Sequence, residues 1–513
     1  MDIPTSKNYD SEFCGSLPLH FINLVQPHGF IMVVQKETFL IRQISENVID
    51  LLGTTPTELL NRNLADIILP EQMEVIRRKT QQWNIEDRIP ENVSFTINNA
   101  EQKFSAVIHT KENYILLELE PNVSPVTSSE LDFVHIYQEI MFILAAFKKA
   151  DSIQKLSQIA VSEIKKLSGF DRVMIYQFDK NWNGSVLAEA LEPDMQPYLN
   201  LCFPASDVPR NARDLYLKNS FRLIPNREYT PARLVPVLNP ISSNFTDLSD
   251  CNLRSVANVH LQYLKNMGVQ ASMSTPIVKD NVLWGLISCH HKTPKNLSFE
   301  MRSAFVLLSS IISAQVVAKE NEYSLGQINS LNDIFTRLLA QMYNEQDFRQ
   351  GLVRGAYTLN QLFTSSGAAV VLDGEIKKVG KTPTNEEIKS IVHWLQRSRV
   401  NKIHTTENLA QALEPAVNYK EVASGLIALP IALERGDYIL GFREEMVQTI
   451  SWGGNPNQAI TMEPDGKTYH PRNSFAVWQE QVKHTSLPWS EQDVHVAEQL
   501  RIAVLERIVR DTH

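Results

Sequence analysis

Three segments carry side chains whose types and spacing could do chemistry together. In Pro204-Ala205-Ser206-Asp207-Val208-Pro209, two prolines fix the backbone on either side of one carboxylate, so a loop presents Asp207 at a set position. The stretch 253–268 reads as a helix carrying His260, with Tyr263 three residues on and Met267 a further four, all on one face. The stretch 284–291 reads as a strand ending in His290 and His291. Taken singly these are ordinary: an Asp between prolines is common turn chemistry, and an isolated helix histidine usually serves structure. Together, a loop carboxylate, a helix His, a strand His and nearby hydroxyls suit a pocket for a charged, nitrogen-rich planar ligand.

The strands must aim these groups. Ser272 and Ser274 precede a hairpin around Lys279-Asp280-Asn281. A three-residue loop pairs 278 with 282 and puts Ser272, Ser274 and His290 on one face. A two-residue loop at Asp280-Asn281 moves His290 to the opposite face. The first register is expected.

The 513 residues allow about three domains, each able to bury its own core. Residues 20–120 alternate strand-like runs (30–34, 93–97, 114–119) with helix-like pieces such as 45–52, an α/β sensor pattern. A linker at 121–129 precedes a helix at 131–150, and strands follow at 173–178 and 185–190. A helical region at 299–343 carries Leu325, Ile328, Phe335, Leu338 and Met342 at helical steps, and suits a connector between domains or a seam with a second chain. Ser490 and Asp493 form a capping box at the head of a last helix, striped by Ala497, Leu500, Val504 and Ile508. That stripe is still running where the chain stops, as in an output helix leading to a further domain.

Net charge −9 without a basic cluster argues against nucleic acid. The stretch 305–318 is apolar but short for a bilayer, and the N-terminus lacks a secretion signal. Cys14, Cys202, Cys251 and Cys289 show no CxxC spacing, so neither zinc nor a redox motif is indicated, and a cytoplasmic setting is expected.

Along almost its whole length the sequence resembles the phytochromes, and among them the bacterial biliverdin-binding type. The resemblance rests on an ordered set of motifs. They are Val25-Gln-Pro-His-Gly29, Asp171-Arg-Val-Met-Ile-Tyr176, the Asp207 loop, Arg222-Leu-Ile-Pro, Tyr229-Thr-Pro, Trp452-Gly-Gly454, Pro471-Arg-Asn-Ser-Phe475 and Trp478-Gln-Glu480. It implies an α+β fold of three tandem domains with antiparallel sheets flanked by helices: PAS at 1–122, GAF at 131–318 and PHY at 319–513, with a tongue at about 444–485.

The resemblance also implies biliverdin held by a thioether. One branch of the family uses a Cys just before the helix His, where this chain has Val259; the biliverdin branch uses a Cys ahead of the PAS domain, where Cys14 stands. Cys251 is a poor rival, and Cys202 and Cys289 are expected in the core. Arg222, Arg254, Tyr216, Ser272 and Ser274 match the family's propionate contacts. The backbone carbonyl of Asp207 faces the pyrrole nitrogens, and its side chain reaches toward the third domain. His260 stacks by the central rings, His290 bonds the ring D carbonyl, and Tyr176, Phe203 and Tyr263 form a cage around ring D.

Red light then drives Z-to-E rotation at ring D. Arg472 and, in the far-red-absorbing state, Ser474 contact Asp207, while Trp452 and Trp478 exchange places as the tongue changes from hairpin to helix. Gly453-Gly454 and Pro464-Asp-Gly466 suit turns, and 474–482, free of Gly and Pro, suits a helix. The long helices suit a homodimer, no carboxylate/His pattern supports a metal site, and with neither a kinase ATP-binding region nor a cyclase signature no catalysis is expected within these residues. The missing output is expected to be a two-component histidine kinase, with a diguanylate cyclase next. A GAF-type small-molecule or cyclic-nucleotide sensor is the alternative outside this family.

Overall fold

The computed structural model describes residues 19–82, 88–97, 100–122, 129–458, 460–462, 469–471 and 473–511. Cys14, Arg472 and the 464–466 turn lie outside them. The chain divides into two compact units, Met1–Lys319 with Ser451–Trp478, and Glu320–Ile450 with Gln479–His513.

Among the described residues the first unit holds two large sheets and a small two-stranded one. Strands β1 (Leu24–Val25), β2 (Phe30–Gln35) and β3 (Ile41–Ser45) precede helices α1 (Val48–Leu52) and α2 (Pro70–Gln82); β4 (Arg88–Ile97), β5 (Ala100–Thr110) and β6 (Tyr114–Pro121) follow. The seven-stranded sheet has the order β1-β11-β3-β2-β6-β5-β4, and its β11 (Ala232–Val235) comes from far along the chain. Leu24 pairs with Arg233, and Leu234 with Ser45, so a segment of the second domain is laced into the first sheet. The core of this domain centres on Phe30, Phe95 and Phe104, with Phe104 edge-on to the other two at 5.3 and 5.6 Å.

Helices α3 (Ser129–Phe147) and α4 (Ile153–Ser168) lead to β7 (Arg172–Phe178), β8 (Gly184–Leu191), β9 (Cys202–Phe203), α5 (Arg210–Lys218) and β10 (Arg222–Ile224). After β11 come α6 (Asn258–Asn266), β12 (Ala271–Lys279), β13 (Val282–His291) and the 46-residue α7 (Phe299–Asn344). Strands β10-β12-β13-β7-β8-β9 are neighbours in that order. Strand alternation divides their side chains. Val173, Ile175, Met273, Ile287 and Cys289 pack with α3, α4 and the start of α7, while Met174, Tyr176, Leu286 and His290 are left for the opposite face.

Two expectations are corrected here. The helix expected over 253–268 begins only at Asn258. Residues ahead of it are extended because they bond to the N-terminal segment, Gln26 N to Leu253 O at 2.7 Å and Ser255 N to Leu24 O at 2.9 Å. Likewise 45–47 is not helical, since Ser45 completes β3. The apolar stretch judged short for a bilayer lies within α7, which as a whole is long and apolar enough to cross one. Its Phe305, Leu308, Ile312 and Val316 are buried in the core beside the second sheet.

In the second unit β14 (Gly367–Leu372), β15 (Glu375–Gly380), β16 (His404–Thr406), β17 (Gly425–Ala432) and β18 (Asp437–Arg443) form a five-stranded sheet, order β15-β14-β18-β17-β16, with α8 (Asn385–Arg397) on one face. Ala368, Val370 and Leu372 face a core shared with Leu338 and Met342 of α7 and with the C-terminal helix α9 (Glu491–Asp511). The alternate residues Ala369 and Val371 face α8. The stripe Ala497, Leu500 and Val504 is fully buried in the first of these cores. The Ser490 box forms as expected, with Ser490 N donating to Asp493 Oδ2 at 2.8 Å and Asp493 N to Ser490 Oγ at 3.1 Å.

Between β18 and α9 the chain forms β19 (Gln448–Gly453), β20 (Ile460–Met462), β21 (Tyr469–Pro471) and β22 (Val477–Val482). The 474–482 stretch is therefore partly strand here, not helix; its helix-compatible composition does not decide the matter.

Candidate functional site

A cleft of about 1120 Å³, counting its open mouth, opens in the first unit. Its walls are the Ser206–Pro209 turn, α5, the extended residues before α6, α6 itself, Leu19 and Pro471. Asp207, Tyr216, Arg222, Arg254, His260 and Tyr263 all line it, and so does Val259. Asp207 closes a short 3₁₀ turn, and its Oδ2 accepts from Tyr263 Oη at 2.7 Å. The carboxylate expected to reach toward the third domain is thus bonded to the helix that carries His260. His260 and Tyr263 stack nearly parallel, 6.1 Å between centroids at 6°. His260 lines the cleft and its side chain is exposed there; desolvation by the surrounding protein, and then Arg222, lower its pKa to about 4.

Two guanidiniums meet at the cleft. Arg222, on β10, donates to Asn252 O at 2.7 Å and to Arg254 O. Arg254 donates to Leu19 O at 3.0 Å, and its Nε has no partner among the described residues. Among the described residues neither has a carboxylate partner. Burial lowers both, and the second cation compounds it for Arg254, down to about 9. Tyr216 bonds Ser274, and burial raises its phenol. A paired, uncompensated cation set of this kind fits a ligand with two carboxylates.

The other expected residues do not line this cleft: Ser272, Ser274 and His290 lie on β12 and β13, and Tyr176 and Phe203 on β7 and β9 of the same sheet. Ser272 stands opposite His290 and Ser274 opposite Ser288, so the three expected residues do share a face. The reason differs from the one anticipated. The loop is the two-residue one, Lys279 pairing with Val282, and Asp280 and Asn281 both adopt positive φ (50° and 61°). A bulge follows, with Ile277 opposite Gly285 and Val278 opposite Leu283, leaving Trp284 as the extra residue. It restores the parity that the tight turn removes. His290 is buried, its Nδ1 has no partner among the described residues, and its Nε2 lies 3.4 Å from Ser288 Oγ. Burial, then Arg172 and His260, lowers its pKa to about 3.

Tyr176 and Phe203 lie 6.0 Å apart, and the Tyr176 ring covers Gly184, where a Cβ would sit 1.8 Å from it. Tyr198 and Phe475 were not anticipated in this cage. Tyr198 lies 5.8 Å from Phe203, and Phe475 stands edge-on to Tyr263 at 5.1 Å. Behind them sits a buried ion pair, Arg172 Nε to Glu189 Oε1 at 3.0 Å. Arg172 also lies 4.1 Å over the Tyr198 ring, and Glu189 Oε2 accepts from the N–H groups of Tyr198 and Leu199. The pair holds the loop that carries the cage, and no local pattern in the sequence links strands 172 and 189 to residue 198.

Trp452 is buried and pairs in parallel with Cys202, and Gly453 lies against Phe203, where a Cβ would come within 2.5 Å of the ring. Ser474 is exposed, its Oγ accepting from Ala476 N, and is not bonded to Asp207; Trp478 is half-buried. Cys251 and Cys289 are buried, but Cys202 is only half-buried, on β9 between β8 and β19 rather than in the core. One buried trio, His109, Glu118 and Cys251, brings possible metal-ligand atoms within 4.8 Å of one another. It lies apart from the residues of the cleft, and Glu118 already accepts from His109 Nε2 at 3.1 Å and from Leu253 N.

A pair of uncompensated arginines, an unpartnered buried His290 Nδ1 and an aromatic cage fit a planar dianionic bilin, and with the two sheets define a chromophore-binding module. Residues 14–122 match the PAS fold family, 152–317 the GAF domain and 331–513 the phytochrome region. The chain is 37% identical over 505 residues to cyanobacterial phytochrome B of Nostoc sp., covering 98% of this chain and 67% of that protein. It is 32% identical to a bacteriophytochrome of Pseudomonas aeruginosa, covering 96% and 66%. Its fold superposes on the phytochrome photosensory core module of Stigmatella aurantiaca with a TM-score of 0.81 at 34% identity, covering 96% and 97% of the two chains. For a bacteriophytochrome of R. palustris the values are 0.83 and 32%, covering 97% and 99%. The chain belongs to the phytochrome family of photoreceptors, as a PAS–GAF–PHY module spanning about two thirds of the length of these curated relatives.

Proposed function

We propose that this chain is a red/far-red photoreceptor whose biliverdin is joined by a thioether to Cys14. The observation that carries the attachment is the composition of the cleft: among its described lining residues there is no thiol, and Val259 stands beside His260. Leu19 lines the same cleft, and five residues of chain reach at most about 17 Å, so a bond from Cys14 is within range.

The bilin supplies light absorption and rotation about its ring D double bond. The protein's residues do the rest. Arg222 and Arg254, with Tyr216, Ser272 and Ser274, hold the propionates. Asp207, through its backbone carbonyl, and His260 hold the pyrrole protons, and neutral His290 donates to the ring D carbonyl. Tyr176, Phe203 and Tyr263 bound the space in which ring D turns. Reshuffled bonds at Asp207 then favour either Arg472 or Ser474, the Trp452 and Trp478 positions exchange, and the tongue, about 444–485, passes from hairpin to helix. The strands β19–β22 correspond to the hairpin end of that change.

A homodimer suits the exposed apolar residues Val134, Tyr137, Met141 and Phe142, spaced along one side of α3, and Leu325 and Ile328 on α7. The output is taken as a histidine kinase in a longer, cytoplasmic parent, with a diguanylate cyclase as the second choice; no catalytic step is assigned to the residues here.

The test is an absorbance spectrum with biliverdin before and after red light, beside Cys14→Ala. A red band converting to a far-red one, with covalent attachment lost in the variant, supports the whole reading. Attachment that survives in Cys14→Ala overturns the linkage alone. No red band overturns the photoreceptor reading for this chain.

A further inference from the structure

Arg443 is the last residue of β18, at the point where the chain leaves the second unit's sheet for the long excursion that returns at α9. Its guanidinium is buried and fully engaged on two sides. Toward the fixed sheet and its neighbouring helix, Nε donates to Thr364 O at 3.2 Å and Nη2 to Phe363 O at 3.1 Å. Toward the returning chain, Nη1 donates to Pro488 O at 2.5 Å and Nη2 to Asp493 Oδ2 at 3.0 Å. The indole of Trp489 lies under the guanidinium at 3.7 Å, and its own N–H donates to Thr406 O.

Asp493 is the residue that caps α9 through Ser490. One side chain therefore ties the outgoing end of the excursion, its returning end and the first turn of the C-terminal helix to a single rigid sheet. A planar fork of five donors holds such a set in one geometry. Displacing Pro488 breaks its bond to Nη1 and carries the adjacent Trp489 off the guanidinium face.

We propose that Arg443 is the positioning residue that relays a change in the 444–488 segment to α9. The proposal rests on the tongue-refolding reading above. In it the pull on the returning strand is converted into a movement of the α9 cap, because Arg443 holds both against Phe363 and Thr364.

The experiment uses the 513-residue chain assembled with biliverdin, in wild type, Arg443→Gln and Asp493→Asn. Absorbance reports photoconversion, and hydrogen–deuterium exchange is followed over 444–488 and 489–500 in each light state. The expected result is that both variants photoconvert as wild type does and keep the light-dependent difference over 444–488, but lose it over 489–500. A merely structural role would raise exchange equally in both light states and leave the difference intact, which overturns the proposal. Variants that lose photoconversion itself also overturn it, since Arg443 would then act on the fold or the chromophore. Should Arg443→Gln not fold, Asp493→Asn decides, because its amide oxygen still accepts from Ser490 N. A wild type that converts without any change over 444–488 removes the tongue reading, and the relay with it; a change there that never reaches 489–500 removes the relay alone.

Discussion

Ser272 and His290 face each other across β12 and β13 because Trp284 is left out of the ladder between them. In an unbulged hairpin with the same two-residue turn, His290 would stand opposite Ala271, on the face packed against α3, α4 and α7. A single extra residue thus decides whether the histidine shares a face with Ser272 and Ser274. Deleting Trp284 is expected to abolish biliverdin assembly and to lower stability by about 3 kcal/mol or more, since a buried indole is also lost. Trp284→Phe keeps the register and should assemble. Thermal unfolding and the red absorbance band of the two variants check this.

The two arginines at the cleft make opposite demands with and without ligand. Without it, Arg254 is a buried cation beside another, at a cost; with it, the same charge meets a carboxylate. Arg254→Met is therefore expected to raise the urea midpoint of the bilin-free protein. It should also weaken biliverdin binding by about 2 kcal/mol, the scale of a charge-assisted hydrogen bond. A variant that is destabilised without ligand contradicts the reading of an uncompensated pair.

Acid should loosen the bilin-free protein through His290. Its folded pKa, about 3, lies below the unfolded value of 6.5, so the unfolded chain takes up the proton first as pH falls. Stability contributed by the neutral imidazole is full above pH 6.5 and is lost as pH drops from there toward about 3, at up to roughly 1.4 kcal/mol per pH unit. His290→Gln should flatten that part of the urea-midpoint profile between pH 7 and pH 5.

Glu189 is predicted to govern the cage without touching the cleft. Glu189→Ala strands Arg172 and frees the N–H groups of Tyr198 and Leu199, at a cost of about 3–5 kcal/mol as for other broken buried pairs. Glu189→Gln keeps an acceptor and should lose less. Tyr198 also packs 6.4 Å from Phe475. The more damaging variant should therefore show faster exchange at residues 473–476 as well as a lower melting temperature.

What the sequence determined by itself was local. The motifs around Asp207, His260 and the tongue, the helical repeat in α7 and the Ser490 box are short-range patterns, and short-range patterns follow from backbone sterics and periodicity. The cleft residues Asp207, Tyr216, Arg222, Arg254, His260 and Tyr263 were legible because the resemblance aligns them one by one. Tertiary structure decided what depends on pairing between distant segments. Residues 253–257 are extended because Gln26 and Leu24 compete for their backbone groups, which no helical propensity at 253 could foretell. The aim of His290 hangs on a bulged residue, Trp284, ten and twelve residues along the chain from Ser274 and Ser272, and parity errors of one residue reverse a strand. The Arg172–Glu189 clamp and the Arg443 junction join residues that share no motif. Only packing brings their charges together, because a buried charge must find its partner wherever the fold places one.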